Sequence, residues 1–370
     1  MSQSALTQAL RKLESTAGVQ LFERSGYGVT PTDAGLRLVQ RSRRASQLLD
    51  ATALPRLRQN VTCSQLRTLT AVVETGGYST AARRLAVAQP TVHRAAKELE
   101  LAVGIELFRR APRGVEPTEA ARSLARTAEL VLGEIRQGFE EVRELQGDTA
   151  SRIAVGCLPL ARSEFLPRAV TLLLSKYPDA HISILDGPYV EQLHALRYGE
   201  IDWLIGALRD PPPVRDVRQE PLFEEPLAIV VRPGHPLLDA GSPSFEDLSQ
   251  LEWIAPRSLA PTRRFFDDFF KKDGVATAPR VIECSSLAAT RGLLRRSDRA
   301  AMLSLLQVRE DIHAGELATL IESLPNSNRS IGVTTRENWQ PTTVQEAFSR
   351  ILRELAGAGR TMPPGRFSLA

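Results

Sequence analysis

The chain has 370 residues, of which 42% are hydrophobic and 24% are charged. This length suits two or three domains, and no apolar run approaches the ~20 residues needed to cross a bilayer. The N-terminus lacks the apolar segment of a secretory signal, and the three widely spaced cysteines suit neither a disulfide framework nor a zinc site. These features exclude a small disulfide-stapled scaffold and a membrane protein. They favour the cytoplasm, and they imply neither a metal nor an organic cofactor.

The net charge of +4 is unevenly distributed along the chain. Residues 1–150 carry 21 Lys and Arg against 16 Asp and Glu, a balance of +5, whereas the other residues carry 26 against 27, a balance of −1. A basic module joined to a near-neutral one indicates that the first part binds a polyanion and the second binds something else.

An internal repeat lies within the basic part. A shift of 86 residues aligns LESTAGVQLFER (13–24) with LELAVGIELFRR (99–110), and 13 of the 32 pairs between 3–34 and 89–120 are identical. Self-similarity of this kind indicates a duplicated structural unit. The second copy also includes residues 61–88, which have no counterpart before the first copy.

The second copy is predicted to form three helices and a hairpin. Apolar residues recur at helical spacing between 64 and 75, and Gly76-Gly77 ends that helix. We expect Ser79 to cap a short second helix and Gln89-Pro90 to open a third. Arginines around Pro112 and Gly114 then suit a short two-stranded wing. This order predicts a winged helix-turn-helix.

The segment ARRLAVAQPTVHRAAKELELAVGIELFRRAPRGVEPTEA closely resembles the DNA-binding domain of LysR-type transcriptional regulators. In that family a Ser/Ala-Gln-Pro opening leads the recognition helix and an LFxR motif leads the wing. The resemblance covers the chain from about residue 61 to its end. It implies double-stranded DNA as a partner, with the helix in the major groove and the wing at phosphates or the minor groove. The residues implied in DNA binding are Ser79, Thr80, Gln89, Pro90, Thr91, His93, Arg94, Lys97, Arg109, Arg110 and Arg113.

One position departs from the family pattern. His93 stands where the family usually has serine, so the base that this position would read stays open. The alternative interpretation of the basic residues is that Arg83, Arg84 and Lys97 only form a solvated helix face.

The first copy begins inside its recognition helix, without the first two helices of the fold. Half of a winged helix should expose apolar residues and be poorly stable alone. Two interpretations follow: a translation start further upstream completes a second DNA-binding domain, which we favour, or the fragment packs on another surface. The residues that would otherwise be exposed are Leu6, Leu10, Leu13, Leu21 and Phe22.

Residues 119–147 predict a long amphipathic helix with one apolar seam, which requires a partner surface. The resemblance implies that this linker helix forms a homodimer, or a homotetramer built from dimers; the alternative is a helix packed on its own domain. Residues 36–58 predict a more broken helix that joins the two copies. The seam consists of Leu124, Ala128, Val131, Ile135, Phe139, Val142 and Leu145.

From residue 152 strands and helices alternate, which predicts a parallel sheet, and a second set follows an exposed turn at 209–216. The predicted fold class is multidomain, α plus α/β: a winged helix-turn-helix, a linker helix, and a two-lobed α/β domain that resembles the periplasmic-binding-protein type 2 fold of LysR effector domains. The expected boundaries are 1–58 for the partial first copy and connecting helix, 61–118 for the winged helix-turn-helix, 119–148 for the linker, and 152–358 for the effector-binding domain, with lobe I at 152–208 plus 340–358 and lobe II at 226–338.

Ligands of open parallel sheets bind beyond the carboxyl ends of the strands, where helix N-termini offer free amides. Arg257, Arg263 and the serine pair could hold a carboxylate or a polyhydroxylated ligand, although each serine could be a plain N-cap. The resemblance implies a sugar or an aromatic or carboxylic acid as effector, which changes the angle between the lobes, and RNA polymerase as a partner of an activator. The expected cleft residues are Leu158, Pro159, Pro256, Arg257, Thr262, Arg263, Ser285 and Ser286.

The main alternative class is an enzyme or a transport-type binding protein with an incidental N-terminal domain. The sequence contains no GxSxG, HExxH or strand-linked phosphate loop, and a transport protein would need an export signal. A thiol redox sensor at Cys157 and Cys284 is a further alternative. Neither cysteine has a clear basic neighbour to activate it, so a role as a small buried apolar residue is favoured.

Overall fold

The computed structural model describes residues 3–25, 28–52, 54, 61–111, 114–258, 260–271 and 280–359. Two winged units come first, each followed by a long helix, and two α/β lobes follow. No helix in these ranges is both long and apolar enough to span a membrane.

The first unit comprises helix α1 (Gln3–Ala17) and the hairpin strands β1 (Phe22–Ser25) and β2 (Gly28–Pro31), and helix α2 (Asp33–Asp50) follows it. Leu21 is fully buried, and Leu13 and Phe22 pack with it against Phe139 and Val142 further along the chain. The prediction that the apolar residues of the first copy are exposed is therefore confirmed for Leu6, which is 50% exposed, and wrong for Leu21. The unit packs on another surface of the same chain.

The second unit comprises helices α3 (Cys63–Thr75), α4 (Tyr78–Leu85) and α5 (Gln89–Val103) and the strands β3 (Phe108–Ala111) and β4 (Gly114–Pro117). Helix α5 begins at the expected Gln89-Pro90 step. The prediction that Ser79 caps α4 is wrong, because the N-cap is Gly77, two residues earlier, and the helix begins at Tyr78. The hydroxyl that does bond this turn belongs to Thr80, whose Oγ1 donates to the Gly77 carbonyl at 2.8 Å.

The two units share the same local hydrogen bonds. Glu14 Oε1 accepts from the amides of residues 21 and 22 at 3.0 and 3.1 Å, and Glu100 Oε1 accepts from those of residues 107 and 108 at 2.9 and 3.0 Å. Thr32 caps α2 by accepting from Gly35 N, and Thr118 caps the helix after the second unit by accepting from Ala121 N, both at 3.1 Å. Each wing is thus fastened to its helix by a carboxylate and followed by a threonine-capped linker helix.

The second linker helix, α6 (Glu119–Glu144), runs antiparallel to α2. Leu38 of α2 lies against Gly138 of α6. Arg44, further along α2, pairs with Glu134, which comes before Gly138 in α6, so the two helices run in opposite directions. The absent side chain at Gly138 permits this approach, because a Cβ there would lie 3.2 Å from the Cβ of Arg41. The two helices bury each other within one chain.

The apolar seam of α6, which was expected to face a second copy of the chain, is covered in the structure largely by residues of the same chain. Val131 and Val142 are 3% and 1% exposed in the single chain, and only the last seam residue, Leu145, is largely exposed. The N-terminal half of α6 packs on the second unit, together with Ala45 of α2. Its C-terminal half packs on the first unit.

A buried ionic cluster joins the two linker helices to lobe I. Arg41 lies 3.0 Å from Glu134 and 2.5 Å from Glu141, and its Nη1 also donates to Gln137 Oε1 and to the Gln340 carbonyl. Burial alone lowers the pKa of Arg41, but the hydrogen bonds and charges of Glu141 and Glu134 raise it above its ordinary value. The guanidinium therefore stays charged and is compensated by its neighbours.

Lobe I is a five-stranded sheet in the order β6-β5-β7-β14-β8, in which β5 is parallel to β6 and β7, and β14 is antiparallel to β7 and β8. The strands are β5 (Arg152–Cys157), β6 (His181–Asp186), β7 (Trp203–Ala207), β8 (Val217–Glu225) and β14 (Arg329–Arg336). The helices are α7 (Phe165–Lys176), α8 (Tyr189–Arg197) and α13 (Thr343–Gly359).

The placement of residues 329–336 in lobe II is wrong. This strand lies between β7 and β8 in the sheet of lobe I, because the side chains of Ile331 and Val333 are buried there. The chain therefore crosses between lobes twice, once after Glu225 and once before Arg329, and these two residues are paired in the sheet.

Lobe II is a second five-stranded sheet in the order β11-β10-β12-β9-β13, with Trp253, Phe266 and Phe270 in its core. The strands are β9 (Ala228–Val231), β10 (Trp253–Ala255), β11 (Val281–Glu283), β12 (Ala300–Leu303) and β13 (Ala318–Ile321). The helices are α9 (Phe245–Gln250), α10 (Pro261–Phe270), α11 (Leu287–Leu294) and α12 (Arg309–His313).

Candidate DNA-reading surface and effector cleft

Helix α5 has one buried and one exposed face. Val92, Ala96 and Leu99 are almost fully buried in the core of the second unit. The spacing of these residues turns the intervening polar side chains outward. The predicted DNA-binding residues of this helix that are exposed are Gln89, Pro90, Thr91, His93, Arg94 and Lys97.

Several of these side chains are positioned by neighbours. Ser79 Oγ donates to Gln89 Oε1 at 3.1 Å, which orients the first amide of the helix from α4. The His93 ring packs edge-on against Tyr78 with centroids 5.2 Å apart. Lys97 lies 2.7 Å from Glu100, and this hydrogen bond raises the pKa of the lysine. Among the predicted readers on α5, Arg94 is an exposed cation in the middle of the helix.

The wing adds further exposed positive charge. Arg109 and Arg110 lie on β3, and both are exposed; Arg109 is 3.3 Å from Glu106. Arg113, the third predicted wing arginine, lies outside the described residues. On α4, Arg84 forms an ion pair with Glu74 of the same unit, which neutralises part of its charge.

The predicted cleft residues fall into two groups. Pro159, Arg257, Ser285 and Ser286 are exposed near the carboxyl ends of β5, β10 and β11. Leu158, also predicted for the cleft, is only 8% exposed, and its side chain belongs to a core cluster of lobe I. It packs against Gly206, where an added Cβ would lie 2.6 Å from the Leu158 Cβ.

Arg263 was expected to hold a carboxylate or a polyhydroxylated ligand, but in the structure its guanidinium contacts groups of its own lobe. Its Nε lies 2.8 Å from Asp267, and its Nη1 lies 3.2 Å from the Pro256 carbonyl and 3.5 Å from Glu283. Ser286 accepts from Ala289 N at 3.3 Å and so caps α11. Both side chains therefore have structural partners within lobe II.

Sequence reasoning missed Arg329, the residue at which the chain returns to lobe I. Its Nη1 donates to Thr262 Oγ1 at 3.3 Å, at the start of α10 in lobe II. Its Nε and Nη2 are buried without a hydrogen-bond partner among the described residues. Burial lowers the pKa of Arg329, and the charge of Glu225 opposes that shift only in part. These two nitrogens are donors that a bound anion can satisfy.

Other polar contacts cross between the lobes. Ser304 of lobe II hydrogen-bonds Glu225 of lobe I, and Leu306 N donates to the same carboxylate at 3.4 Å. Glu164 of lobe I lies 2.9 Å from Arg309 of lobe II. No local sequence pattern pairs these residues, which lie 79 to 145 positions apart.

The three cysteines are free thiols in different environments. Burial raises the pKa of the Cys157 thiol to about 12, so it stays protonated at neutral pH. Cys284 is half-buried and Cys63 is exposed. Three or more His, Cys, Asp or Glu side chains do not cluster into a metal-binding group anywhere in the described ranges.

A winged helix-turn-helix with an exposed polar helix face, joined to a two-lobed α/β domain, defines a DNA-binding protein with a ligand-binding module. The family profile for the LysR substrate binding domain matches residues 146–357. The profile for the bacterial regulatory helix-turn-helix protein, lysR family, matches residues 1–36 and 63–122. The chain belongs to the LysR family and is a transcriptional regulator with a DNA-binding helix-turn-helix and an effector-binding domain.

Relatives share this assignment, and solved structures share the fold. The chain is 32% identical over 360 residues to the HTH-type transcriptional regulator GalR of Pseudomonas putida, covering 96% of this chain and 90% of that protein. It is 29% identical over 306 residues to PcaQ of Agrobacterium fabrum, covering 82% and 98%. A full-length OxyR variant from Pseudomonas aeruginosa has a TM-score of 0.60 at 22% identity, covering 80% and 94%. Full-length CbnR in complex with its target DNA has a TM-score of 0.55 at 21% identity, covering 80% and 100%.

Proposed function

We propose that this regulator responds to an effector that carries a carboxylate or phosphate group, bound between the two lobes with Arg329 as its main cationic contact. The observation that carries the proposal is the buried guanidinium of Arg329, which has two unpartnered nitrogens beside Thr262 at the start of α10. Burying a cation without compensation is costly, and a bound anion would supply the missing hydrogen bonds.

The position of α10 strengthens this proposal. The helix begins with Ala260 as an N-cap that makes no side-chain hydrogen bond, and the partial positive charge of a helix N-terminus favours an anion there. A guanidinium beside that N-terminus places like charges together until an anion lies between them. The effector cleft that we propose includes Arg329 with Thr262, Pro159, Pro256, Arg257, Ser285 and Ser286.

For DNA, we propose that α5 enters the major groove and the wing contacts the backbone. An arginine can form two hydrogen bonds with guanine and an amide can do so with adenine, so Arg94 and Gln89 are the expected base readers. Arg109, Arg110 and Arg113 would supply salt-dependent affinity. Ser79 positions Gln89, and Thr80, Pro90, Thr91, His93 and Lys97 complete the proposed surface.

The remaining proposals follow from this role. We infer no catalytic activity, double-stranded DNA and a small molecule as partners, and RNA polymerase as an additional partner where the protein activates. The compartment that fits is the bacterial cytoplasm, where the DNA lies. The domains are taken as 61–118 for DNA binding, 119–148 for the linker and 152–358 for effector binding, with 329–336 in lobe I.

The effector class is tested by thermal unfolding of the full chain with a panel of carboxylates, phosphorylated compounds and neutral sugars. We expect an acidic compound to raise the melting temperature of the native chain but not of Arg329→Gln. Arg264→Gln is the matched control, because Arg264 lies on α10 but is 87% exposed. A neutral sugar that stabilises native chain and Arg329→Gln equally would overturn the proposed class.

A further inference from the structure

We propose that one chain supplies both linker helices and both DNA-reading helices of a recognition unit, and therefore binds an operator whose two half-sites differ in sequence. The assignment of α1 as the second reading helix rests on the proposed role of α5. The pairing of the linker helices stands independently of that role.

The pairing is reciprocal. Leu48 and Leu49 at the end of α2 pack on the core of the second unit, while Phe139 and Val142 near the end of α6 pack on the core of the first. Each linker helix thus leaves its own winged unit and supports the other one. The two equivalent helices are antiparallel, and each packs on the winged unit of the other. This is the arrangement of a pseudo-twofold dimer, here within a single chain.

This pairing also covers the face that a second chain would need. Arg41 and Glu134 are 3% and 9% exposed, and a second copy of α6 could reach them only by displacing α2. Displacement would leave a charged cluster without its partners in an apolar surface, which is strongly unfavourable. Any further association of chains must therefore use another surface.

The dimensions fit a pair of half-sites. Helix α6 has 26 residues, or about 39 Å at ~1.5 Å per residue, and the two winged units pack toward its opposite ends. Half-sites that are one helical turn apart on DNA are separated by ~34 Å.

The two reading helices carry different side chains at equivalent positions. Gln8 in α1 corresponds to Arg94 in α5, and both are exposed. Thr7 corresponds to His93. Because glutamine favours adenine and arginine favours guanine, the two helices select different bases. The operator of one chain is therefore asymmetric.

The pairing is tested by cross-linking in a Cys63→Ser, Cys284→Ser background, in which the remaining Cys157 is buried. Arg41→Cys with Gly138→Cys brings two Cβ atoms close together, since a Cβ on residue 138 would lie 3.2 Å from that of Arg41; a small outward shift of the two helices brings the pair to the ~3.8 Å that a disulfide needs. Arg44→Cys with Glu134→Cys, joined by a short bismaleimide, is a second pair that leaves the Arg41–Glu141 contact intact. We expect cross-linked product at the mass of one chain, independent of concentration.

The controls separate pairing within a chain from pairing between chains. A mixture of Arg44→Cys chains with Glu134→Cys chains should give no cross-link. A product at the mass of two chains, or no product from either pair in a folded protein, overturns the proposal.

The operator is tested by using the full chain to select bound DNA from a random pool. Native mass spectrometry of the complex then gives the number of chains bound to each DNA. We expect two unequal half-sites occupied by one chain, with Gln8→Ala relaxing one half-site and Arg94→Ala the other. A palindrome occupied by two chains overturns the inference. If the native chain selects no specific DNA sequence, that result counts against α5 as a reading helix. The cross-linking result still tests the pairing of the linker helices in that case.

Discussion

Arg41 of α2 and Glu134 of α6 form an ion pair of 3.0 Å in which both side chains are almost fully buried. The residues lie 93 positions apart, and each belongs to the linker helix of a different winged unit. Glu134 is also 3.1 Å from Arg44, while Arg41 also pairs with Glu141. The contact between the two linker helices therefore depends on a compensated set of buried charges as well as on apolar packing.

Replacing Arg41 with methionine should destabilise the chain by about 3–5 kcal/mol, because it leaves a buried carboxylate without its cation. Glu134 keeps Arg44, so Glu141 is the carboxylate left uncompensated. Arg41→Met with Glu141→Leu should therefore recover most of the loss. Urea unfolding of the three proteins measures these differences, and equal stability of native chain and single variant would show that the ion pair contributes nothing.

Arg94→Ala should weaken binding to the specific operator roughly 5- to 150-fold while changing the affinity for unrelated DNA much less. The reason is that an exposed guanidinium in the middle of α5 can read a base edge as well as attract phosphate. Anisotropy titrations on operator and scrambled DNA measure both affinities. Arg264→Ala, which removes an exposed arginine of lobe II, is the control, and a uniform loss on both DNAs would reduce Arg94 to a phosphate contact.

Arg329→Met should leave the effector-free chain at least as stable as the native one, because methionine buries no charge and no unpartnered donor. The substitution removes a buried cation with two unpartnered nitrogens and retains most of the side-chain volume. Thermal unfolding without added ligand tests this. A loss of several degrees in melting temperature would instead mean that Arg329 is a structural residue satisfied within the chain.

The second winged unit should lose stability in acid through Glu100. Burial acts to raise the pKa of this carboxylate, but hydrogen bonds from Lys97 and from the amides of Leu107 and Phe108 lower it below its ordinary value. A lowered pKa in the folded state adds stability that is complete above the ordinary pKa of ~4.3 and is lost as the pH falls through the folded value. Glu100→Gln should therefore flatten the acid limb of the unfolding curve between about pH 5 and pH 3. An unchanged acid limb in this variant would rule out the carboxylate as its source.

The three cysteines should react with a maleimide at very different rates. Cys63 is exposed and should react first, the half-buried Cys284 later, and Cys157 only after unfolding, because burial raises its pKa to about 12. Mass spectrometry of peptides from timed reactions gives the order. Rapid modification of Cys157 in the folded chain would revive a redox role.

Local patterns predicted much of the fold and the exposed helix face of the proposed DNA-reading surface. The Gln89-Pro90 step, the exposed face of α5 and the βαβ order of lobe I depend on residues close together in the sequence, so periodicity and turn chemistry suffice. The partner of the linker seam could not be predicted, because apolar spacing indicates a buried face without indicating what covers it. The burial of the Leu158 side chain could not be predicted for a related reason, since strand-end position does not determine whether a side chain points to the core or to solvent.

Arg329 was missed because its importance comes from tertiary structure alone. Its strand, RSIGVTTR, follows lobe II in the sequence but completes the sheet of lobe I, so the arginine that begins this strand lies where the chain passes between lobes. Arg263, with an aspartate four residues later, carried the signal of a helical ion pair, and the structure forms that pair.

The most direct test of this account is fluorescence-anisotropy binding of the full chain to the DNA upstream of its own gene, over a salt series and with an acidic effector found by thermal unfolding. We predict binding that is specific against scrambled DNA, weakens steeply with salt, and changes with the effector in the native chain but not in Arg329→Gln. Equal affinity for scrambled DNA at every salt concentration, or an identical effector response in Arg329→Gln, would contradict it.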